Sequence, residues 1–238
     1  MLKLKCDRAY LGFMHLGDII TSLNLLYNYA IQYDKKIEFC GQNPDVYKQL
    51  FRIFNYGNFL VPLQFCPWKA GYNTVFFKDF MPYYYLDICF GISTLKKRKI
   101  NGFLLPPTRN KKKSLFPHKC FQFLCRSFES RKTFNKRHME LTLQKFGDEN
   151  SLCIGGITTK KYIQNKELFV GNLIQLSEKI MESNGFFGID SGMAHLAGTL
   201  GVSGDIVIQA NYEDFYQNVK NSFEYMYPTL KIHNKNSL

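Results

Sequence analysis

The sequence predicts an α/β protein with two domains, each built on a parallel β-sheet. Two observations support this: apolar runs alternate with amphipathic segments, and glycine turns join them. The 238 residues are enough for two small cores. Alternation of this kind implies βαβ crossovers, so we expect two Rossmann-like domains with a ligand cleft between them. The expected boundaries are 1–115 and 116–238, with the last helix packing back on the first domain.

The first half of the chain shows the alternation from its start. An apolar segment over residues 8–13 leads through a glycine turn to helical spacing over 18–32, and Asp18 is the expected N-cap. The further elements expected here are a strand at 37–40, a helix at 45–54 and strands at 58–65 and 73–77. Beyond Pro82 the pattern fits helix or loop, and Tyr83 to Tyr85 either stack on a ligand ring or pack in the core.

Residues 96–137 are strongly basic, with Glu129 as the one acidic residue. Pro106 and Pro107 lie within this segment, which predicts a linker followed by the entry to the second domain. The segment can also track the phosphates of a nucleic acid, or it can be a solvated basic surface.

The second half repeats the order of elements. The expected elements are strands at 120–125, 151–154, 186–189 and 205–209, and helices at 136–146, 168–181, 192–200 and 212–227. Gly155 and Gly156 follow the second of these strands; they either approach a ligand or simply end the strand.

The turn Asp190-Ser191-Gly192 stands between an apolar strand and a helix that Gly201 can close. The first amides of a helix lack internal partners and carry the positive end of its dipole, so this turn can hold a phosphate or a sugar hydroxyl. Asp190 can cap those amides, and His195 lies one turn further on the same face. Alternatively, Asp190 or Ser191 is only an N-cap and His195 a half-buried core residue.

Two motifs carry a family resemblance. The string from Asp190 to Ala197 resembles the D-S-G-x-x-H-x-A segment of heptosyltransferase-like glycosyltransferases, which form glycosyltransferase family 9 and have the GT-B fold. The turn Leu16-Gly17-Asp18 matches the Leu-Gly-Asp turn usual in that family. The chain departs from the family at Asn24, where proline is usual, and it is shorter than a typical member.

The resemblance implies an inverting, metal-independent transfer of a sugar from a nucleotide-diphosphate donor. Asp18 would be the catalytic base, unless it is only an N-cap, with His15 and Gly17 on the acceptor side. The donor-binding residues would be Asp190, Ser191, Gly192, His195, Gly155, Gly156 and a basic group from Arg126, Arg131 or Lys132. No metal ligands are expected, since helix termini and cations can neutralise a diphosphate and the sequence has no Asp-x-Asp pair.

The formal net charge of +12 favours an anionic partner: a nucleotide sugar, a lipopolysaccharide-like glycan or a nucleic acid. The seven cysteines are scattered without a Cys-x-x-Cys pair, which fits a reducing compartment better than a disulfide framework. With no apolar run long enough to span a bilayer, we expect a cytoplasmic protein, peripheral at the membrane surface if its acceptor is there. Two other functions stay open, a non-catalytic nucleotide- or nucleic-acid-binding protein and a sugar-nucleotide epimerase.

Overall fold

The structure is a computed structural model that describes residues 8–11, 15–63, 73–76, 89–90, 102–112, 118–123, 135–155, 166–208 and 213–238. The chain divides into two compact units, Met1–Arg109 and Asn110–Leu238. Among the described residues each unit has one sheet, and the described strand pairs are parallel apart from one edge pair.

The first unit has a five-stranded sheet among its described residues. Its elements are β1 (Arg8–Leu11), α1 (Leu16–Gln32), β2 (Ile37–Gly41), α2 (Pro44–Ile53), β3 (Leu60–Pro62), β4 (Asn73–Phe76) and β5 (Cys89–Phe90). The strand order is β3-β2-β1-β4-β5, and only the pair of β4 and β5 is antiparallel. This 3-2-1-4-5 order reverses between β1 and β4, as in doubly wound sheets.

The start of α1 corrects the sequence-based prediction. The helix begins at Leu16, with His15 as its N-cap, and Asp18 lies in the first turn instead of capping it. The carbonyl of His15 accepts a hydrogen bond from the amide of Ile19 at 3.0 Å, and this bond fixes the start of the helix. An acidic residue is favoured both at the cap and in the first turn, because both positions face the positive end of the helix dipole, so the sequence did not distinguish them.

Polar residues are buried along α1 and are paired inside the unit. Asn24 is fully buried, and its Oδ1 accepts from the Tyr56 hydroxyl at 2.6 Å. Asn28 pairs with the backbone of Leu104 through two bonds: its Nδ2 donates to the carbonyl at 2.8 Å and its Oδ1 accepts from the amide at 2.7 Å. Asn24 therefore serves an internal hydrogen bond.

Residues 102–109 were expected to lie in a linker, but they pack on the first unit. Thr108 forms an antiparallel bridge with Phe54. The amide of Asn55 donates to the carbonyl of Pro107 at 2.8 Å, and that of Arg109 donates to the carbonyl of Ile53 at 2.9 Å. The two prolines therefore belong to an extended segment paired along the end of α2, and the units divide after Arg109.

The second unit has a six-stranded sheet among its described residues. Its elements are β6 (Lys119–Gln122), α3 (Lys136–Phe146), β7 (Leu152–Ile154), β8 (Leu168–Phe169), α4 (Leu173–Met181), β9 (Gly185–Ile189), α5 (Gly192–Thr199), β10 (Gly204–Ile208), α6 (Glu213–Met226) and β11 (Leu230–Asn234). The strand order is β11-β10-β9-β6-β7-β8 and all pairs are parallel. Numbered within the unit, this is the 3-2-1-4-5-6 order of the Rossmann fold.

Alternate residues of β6 face opposite layers of the second unit. Phe121 packs in a buried cluster with Phe187 and Met139 of α3. Cys120, next to it, turns to the other face, where its thiol donates to the carbonyl of Lys179 in α4 at 3.4 Å. Helices therefore cover both faces of this sheet, which confirms the predicted α/β class with parallel sheets.

Two elements of the second unit differ from the prediction. The segment 168–181, expected to be one helix, is the short strand β8 followed by α4, because Asn172 starts the helix with a capping box to Gln175. The strand β11 was not predicted; its Leu230 and Ile232 are buried and pair with β10. Its alternating pattern is only five residues long and directly follows a helix, so it was not recognised as a strand.

The cysteines also differ in part from the expectation. Cys120 and Cys153 are buried free thiols, and burial raises the pKa of each to about 12. Cys40, however, is disulfide-bonded. Spacing along the chain does not show which cysteines become neighbours in the fold, and this is why the sequence did not predict the bond.

Candidate functional site

The strand order of the second unit reverses between β6 and β9, and the predicted donor residues lie there. Gln122 ends β6, while Asp190 and Ser191 follow β9 directly. In open α/β sheets the crevice outside the carboxyl ends of two such strands is where ligands bind. The sheet thus brings the Asp190-Ser191-Gly192 turn to the switch point of a Rossmann-type unit.

Ser191, and not Asp190, caps helix α5. Its Oγ accepts from the amide of Ala194 at 3.4 Å and donates to Oε1 of Gln122 at 2.9 Å. The hydroxyl has one proton, so these two bonds tie the end of β6 to the start of α5. The prediction that Asp190 caps the helix is wrong, because its carboxylate turns toward His195 instead.

Asp190 and His195 form a pair one helical turn apart. Nε2 of His195 lies 3.5 Å from Oδ1 of Asp190, and Nδ1 lies 3.0 Å from the hydroxyl of Tyr227. The His195 side chain is 5% exposed and that of Asp190 is 22% exposed. Asp190 is therefore the member of the pair that reaches the crevice, with His195 behind it.

Gly188 allows the two strands of the switch point to approach closely. A Cβ at this position would collide with the backbone carbonyl of Gln122 on β6. Since both partners are backbone atoms of paired strands, neither can move aside without breaking the ladder. This contact sets the position of the turn that begins two residues later.

Gly155 lies at the end of β7, the strand next to β6. It is buried with φ +151°, and its amide donates to the carbonyl of Phe169 at 3.1 Å. The residue therefore continues the strand pairing with a backbone conformation that suits glycine. Gly156 and the basic residues Arg126, Arg131 and Lys132 lie outside the described residues.

Three of the six described basic residues of the segment 96–137 have partners within their unit. Nζ of Lys112 lies 3.4 Å from Oε1 of Glu182 and 3.8 Å from Oε1 of Glu178. Nζ of Lys119 donates to the carbonyl of Phe146 at 2.8 Å, at the end of α3. Nζ of Lys136 lies 4.0 Å from Oε1 of Glu140. Tyr83 to Tyr85 lie outside the described residues.

In the first unit the Leu-Gly-Asp turn also follows a switch point. The strand order reverses next to β1, and α1, which follows β1, begins with His15, Gly17 and Asp18 in its cap and first turn. His15 is exposed, while Gly17 and Asp18 are half-buried. The backbone carbonyl of Asp18 accepts from the hydroxyl of Ser22 at 2.6 Å. A carboxylate here lies at the positive end of a helix of 17 residues.

Sequence reasoning missed two residues of the second site. Gln122 was read as part of an apolar strand, and Tyr227 as the last residue of a helix. A glutamine that interrupts an apolar run was the available signal for Gln122. No local signal was available for Tyr227, because its contact with His195 depends on how α6 returns to α5.

The described part of the chain contains no group of three or more His, Cys, Asp or Glu side chains placed to hold a metal ion. None of its helices combines the length and the apolar character that crossing a membrane requires.

Comparisons with known proteins give the fold its context. No protein-family model matches the chain. No curated protein sequence matches it either. The glycosyl transferase family 9 protein from Veillonella parvula superposes on 98% of this chain and 87% of its own, with a TM-score of 0.59 and 12% identity.

Two heptosyltransferases from E. coli are similar in the same way. The ADP-heptose lipopolysaccharide heptosyltransferase II covers 96% of this chain and 90% of its own, with a TM-score of 0.64 and 13% identity. The heptosyltransferase WaaC, solved with ADP, covers 95% of this chain and 92% of its own, with a TM-score of 0.55 and 9% identity. The chain therefore has the fold of the heptosyltransferase-like family 9 glycosyltransferases.

Proposed function

We propose that this protein is a glycosyltransferase that moves a sugar from a nucleotide-diphosphate donor to an acceptor hydroxyl. The observation that carries the proposal is the Asp190-Ser191-Gly192 turn at the switch point of a Rossmann-ordered sheet. A nucleotide binds at that place in such sheets, and the fold of the whole chain is one that known sugar transferases use.

The start of α5 is the proposed site for the diphosphate. The amide of Ala194 donates to Ser191. The amides of Gly192 and Met193, as the first two of the helix, have no carbonyl partner within it, so phosphate oxygens can accept from them. Asp190 accepts hydroxyls of the sugar or ribose. Arg126, Arg131 and Lys132 supply cationic charge to the leaving group, and Gly155 and Gly156 allow the ligand to approach the backbone.

Asp18 is the proposed base. In a single displacement the acceptor oxygen forms a bond to the anomeric carbon while the bond to the diphosphate oxygen breaks, and the hydroxyl proton passes to the carboxylate. The anomeric configuration is inverted. The leaving diphosphate keeps the bonding electrons, and helix-terminal amides and cations stabilise its charge without a metal, so EDTA should leave turnover unchanged. His15 and Gly17 lie on the acceptor side of this turn.

The neighbours suggest the substrate class. E. coli heptosyltransferase II uses ADP-heptose, and WaaC was solved with ADP, so adenosine-diphosphate sugars are the first donors to examine. We propose an anionic surface glycan of the lipopolysaccharide type as acceptor, because the net charge of +12 attracts such a surface. The enzyme would then act in the cytoplasm, at the membrane face.

A thermal-shift panel tests the proposal. The wild type is melted with ADP, UDP, GDP and CDP, their common sugar conjugates and a short DNA duplex, beside Asp190→Ala. A ligand at about a hundred times its dissociation constant adds roughly 2.7 kcal/mol of stability, which shifts the melting temperature by several degrees. Asp45→Ala is the control, because that carboxylate is 86% exposed and pairs only with Lys48 among the contacts described for it.

We expect one nucleotide family, ADP and its sugars, to stabilise the wild type and Asp45→Ala. Asp190→Ala should keep part of the response to ADP and lose the additional response to the sugar conjugate. A shift with DNA alone would favour a nucleic-acid-binding protein. A sugar nucleotide that is bound and returned as its epimer, without transfer, would favour an epimerase.

A further inference from the structure

The buried contact between Tyr227 and His195 has no part in the function proposed so far. Tyr227 is fully buried and follows α6, and its ring packs on Gly198, where any Cβ would collide with it. Phe223 and Tyr227 both lie against the imidazole, with ring centroids 4.8 Å and 5.6 Å from it. The histidine is therefore enclosed by α6 on the side away from Asp190.

The tautomer of His195 can be derived from the protons that its contacts with Asp190 and Tyr227 need. An ionised carboxylate can only accept hydrogen bonds, so Asp190 is attracted to Nε2 only if Nε2 carries the proton. In a neutral imidazole Nδ1 is then an acceptor, and the Tyr227 hydroxyl, 3.0 Å away, is the group that donates to it. In a neutral imidazole, the tautomer with the proton on Nε2 therefore satisfies both contacts.

We propose that Tyr227 is a positioning residue of the donor site: its hydroxyl keeps His195 in the tautomer with the proton on Nε2, and this in turn orients the carboxylate of Asp190 toward the donor. The inference rests on the proposed function for its purpose, but the tautomer itself can be measured without any substrate. Neither Tyr227 nor His195 touches the sugar in this account, so both act through Asp190.

The separation of 3.5 Å between Asp190 and His195 is within ion-pair range but long for a hydrogen bond. Contacts of this kind often shorten when the ligand is bound. Loss of the Tyr227 hydroxyl would leave Nδ1 of a buried imidazole without its donor, and the ring would then populate other tautomers and orientations. Asp190 would lose its fixed orientation, while the apolar contacts of the ring at position 227 remain.

The test uses Tyr227→Phe, which removes one oxygen and keeps the ring against Gly198 and Phe223. Tyr216→Phe is the matched control: the Tyr216 hydroxyl donates to the carbonyl of Ile232 at 3.0 Å, within the same helix region but without a contact to His195 among those described. Two quantities are measured on the full chain, the imidazole nitrogen shifts of His195 by NMR and the affinity for ADP and an ADP-sugar by calorimetry. His195→Gln assigns the signal among the five histidines.

The wild type and Tyr216→Phe should show His195 protonated on Nε2 only. Tyr227→Phe should show a mixture of tautomers and bind the ADP-sugar about tenfold more weakly, with a smaller loss for ADP. A proton on Nδ1 in the wild type overturns the proposal, as does unchanged ADP-sugar affinity in Tyr227→Phe. If no nucleotide binds the wild type, the proposed function fails, and the nitrogen shifts alone then decide whether Tyr227 fixes the tautomer.

Discussion

At the scale of single residues, the carboxylates at the two turns have different surroundings. Asp190 is held by His195 behind it, and Ser191 takes over the capping that Asp190 was expected to provide. Asp18 lies in the first turn of α1, at the positive end of the helix dipole, and His15 is the N-cap residue. Neither acid is the N-cap residue of its helix, so an N-cap position does not explain either carboxylate.

Asp18→Asn tests the proposed base. The amide keeps the size and much of the polarity of the side chain but cannot take a proton, so turnover should fall by about a hundredfold or more, in line with the contribution of general bases. Donor affinity, measured by calorimetry, should stay within about twofold of the wild type. Unchanged turnover would remove Asp18 from the mechanism, and a parallel loss of donor affinity would make it a binding residue.

Asn28 offers a test of the buried polar residues of α1. Asn28→Ala leaves the amide and carbonyl of Leu104 without the partner that the side chain supplies, which should lower the free energy of unfolding by about 1–3 kcal/mol in urea denaturation. Asn110→Ala, at an exposed position, should change it by less than about 0.5 kcal/mol. Equal effects of the two substitutions would show that the pairing with Leu104 contributes nothing to stability.

At the scale of elements, long periodic segments were predictable and short ones were not. Helix α3 begins and ends where the sequence predicts, because Asn135 caps it and apolar residues recur at helical spacing. The strands β8 and β11 were missed, since two and five residues give no clear period. The turn at Asp190 was predicted from its apolar strand and its glycine, but the contact of Ser191 with Gln122 joins residues 69 apart in sequence.

Gly188→Ala tests whether the close approach of β9 to β6 stabilises the protein and supports nucleotide binding. The added methyl would meet the carbonyl of Gln122, so we expect a large loss of stability, roughly 2 kcal/mol or more, and weaker nucleotide binding. Gly201→Ala is the control: its φ of +73° costs some strain, but no atom lies within 4 Å of the added carbon. We expect Gly201→Ala to lower the free energy of unfolding by about 1 kcal/mol and to leave nucleotide binding unchanged. Similar losses at both positions, measured by urea denaturation, would contradict the packing argument.

At the scale of the whole molecule, the order of elements was predictable and the partners across the fold were not. Alternation of strands and helices predicted two parallel sheets, and the similar solved structures share that architecture over nearly the full chain. The sequence did not show that residues 102–109 pack on the first unit, because backbone pairing with Phe54 leaves no signature in side-chain chemistry. Tyr227 was not predicted for a different reason: its side-chain contact with His195 joins residues 32 apart in sequence and depends on how α6 returns to α5.

The titration of His138 makes the stability of the protein depend on pH. Burial lowers the pKa of His138, and the charges of Lys235 and Arg137 lower it further. The unfolded chain then binds a proton more readily than the folded one, so the free energy of unfolding falls as the pH drops below about 6.5 and stops falling below the folded pKa. His138→Gln should flatten this part of the profile, measured by urea denaturation at a series of pH values. If the free energy of unfolding depends on pH in the same way in His138→Gln, other titrating groups cause the dependence.

The proposed function depends on a nucleotide diphosphate binding at the start of α5, and NMR titration of the isotope-labelled chain with ADP locates that binding residue by residue. We expect the largest amide shift changes at Gly192 and Met193, with smaller ones at Asp190 and Gln122. Adenosine, which lacks the diphosphate, should leave the amide shifts of Gly192 and Met193 nearly unchanged. ADP binding that perturbs other residues while the amides of Gly192 and Met193 stay in place would contradict the claim.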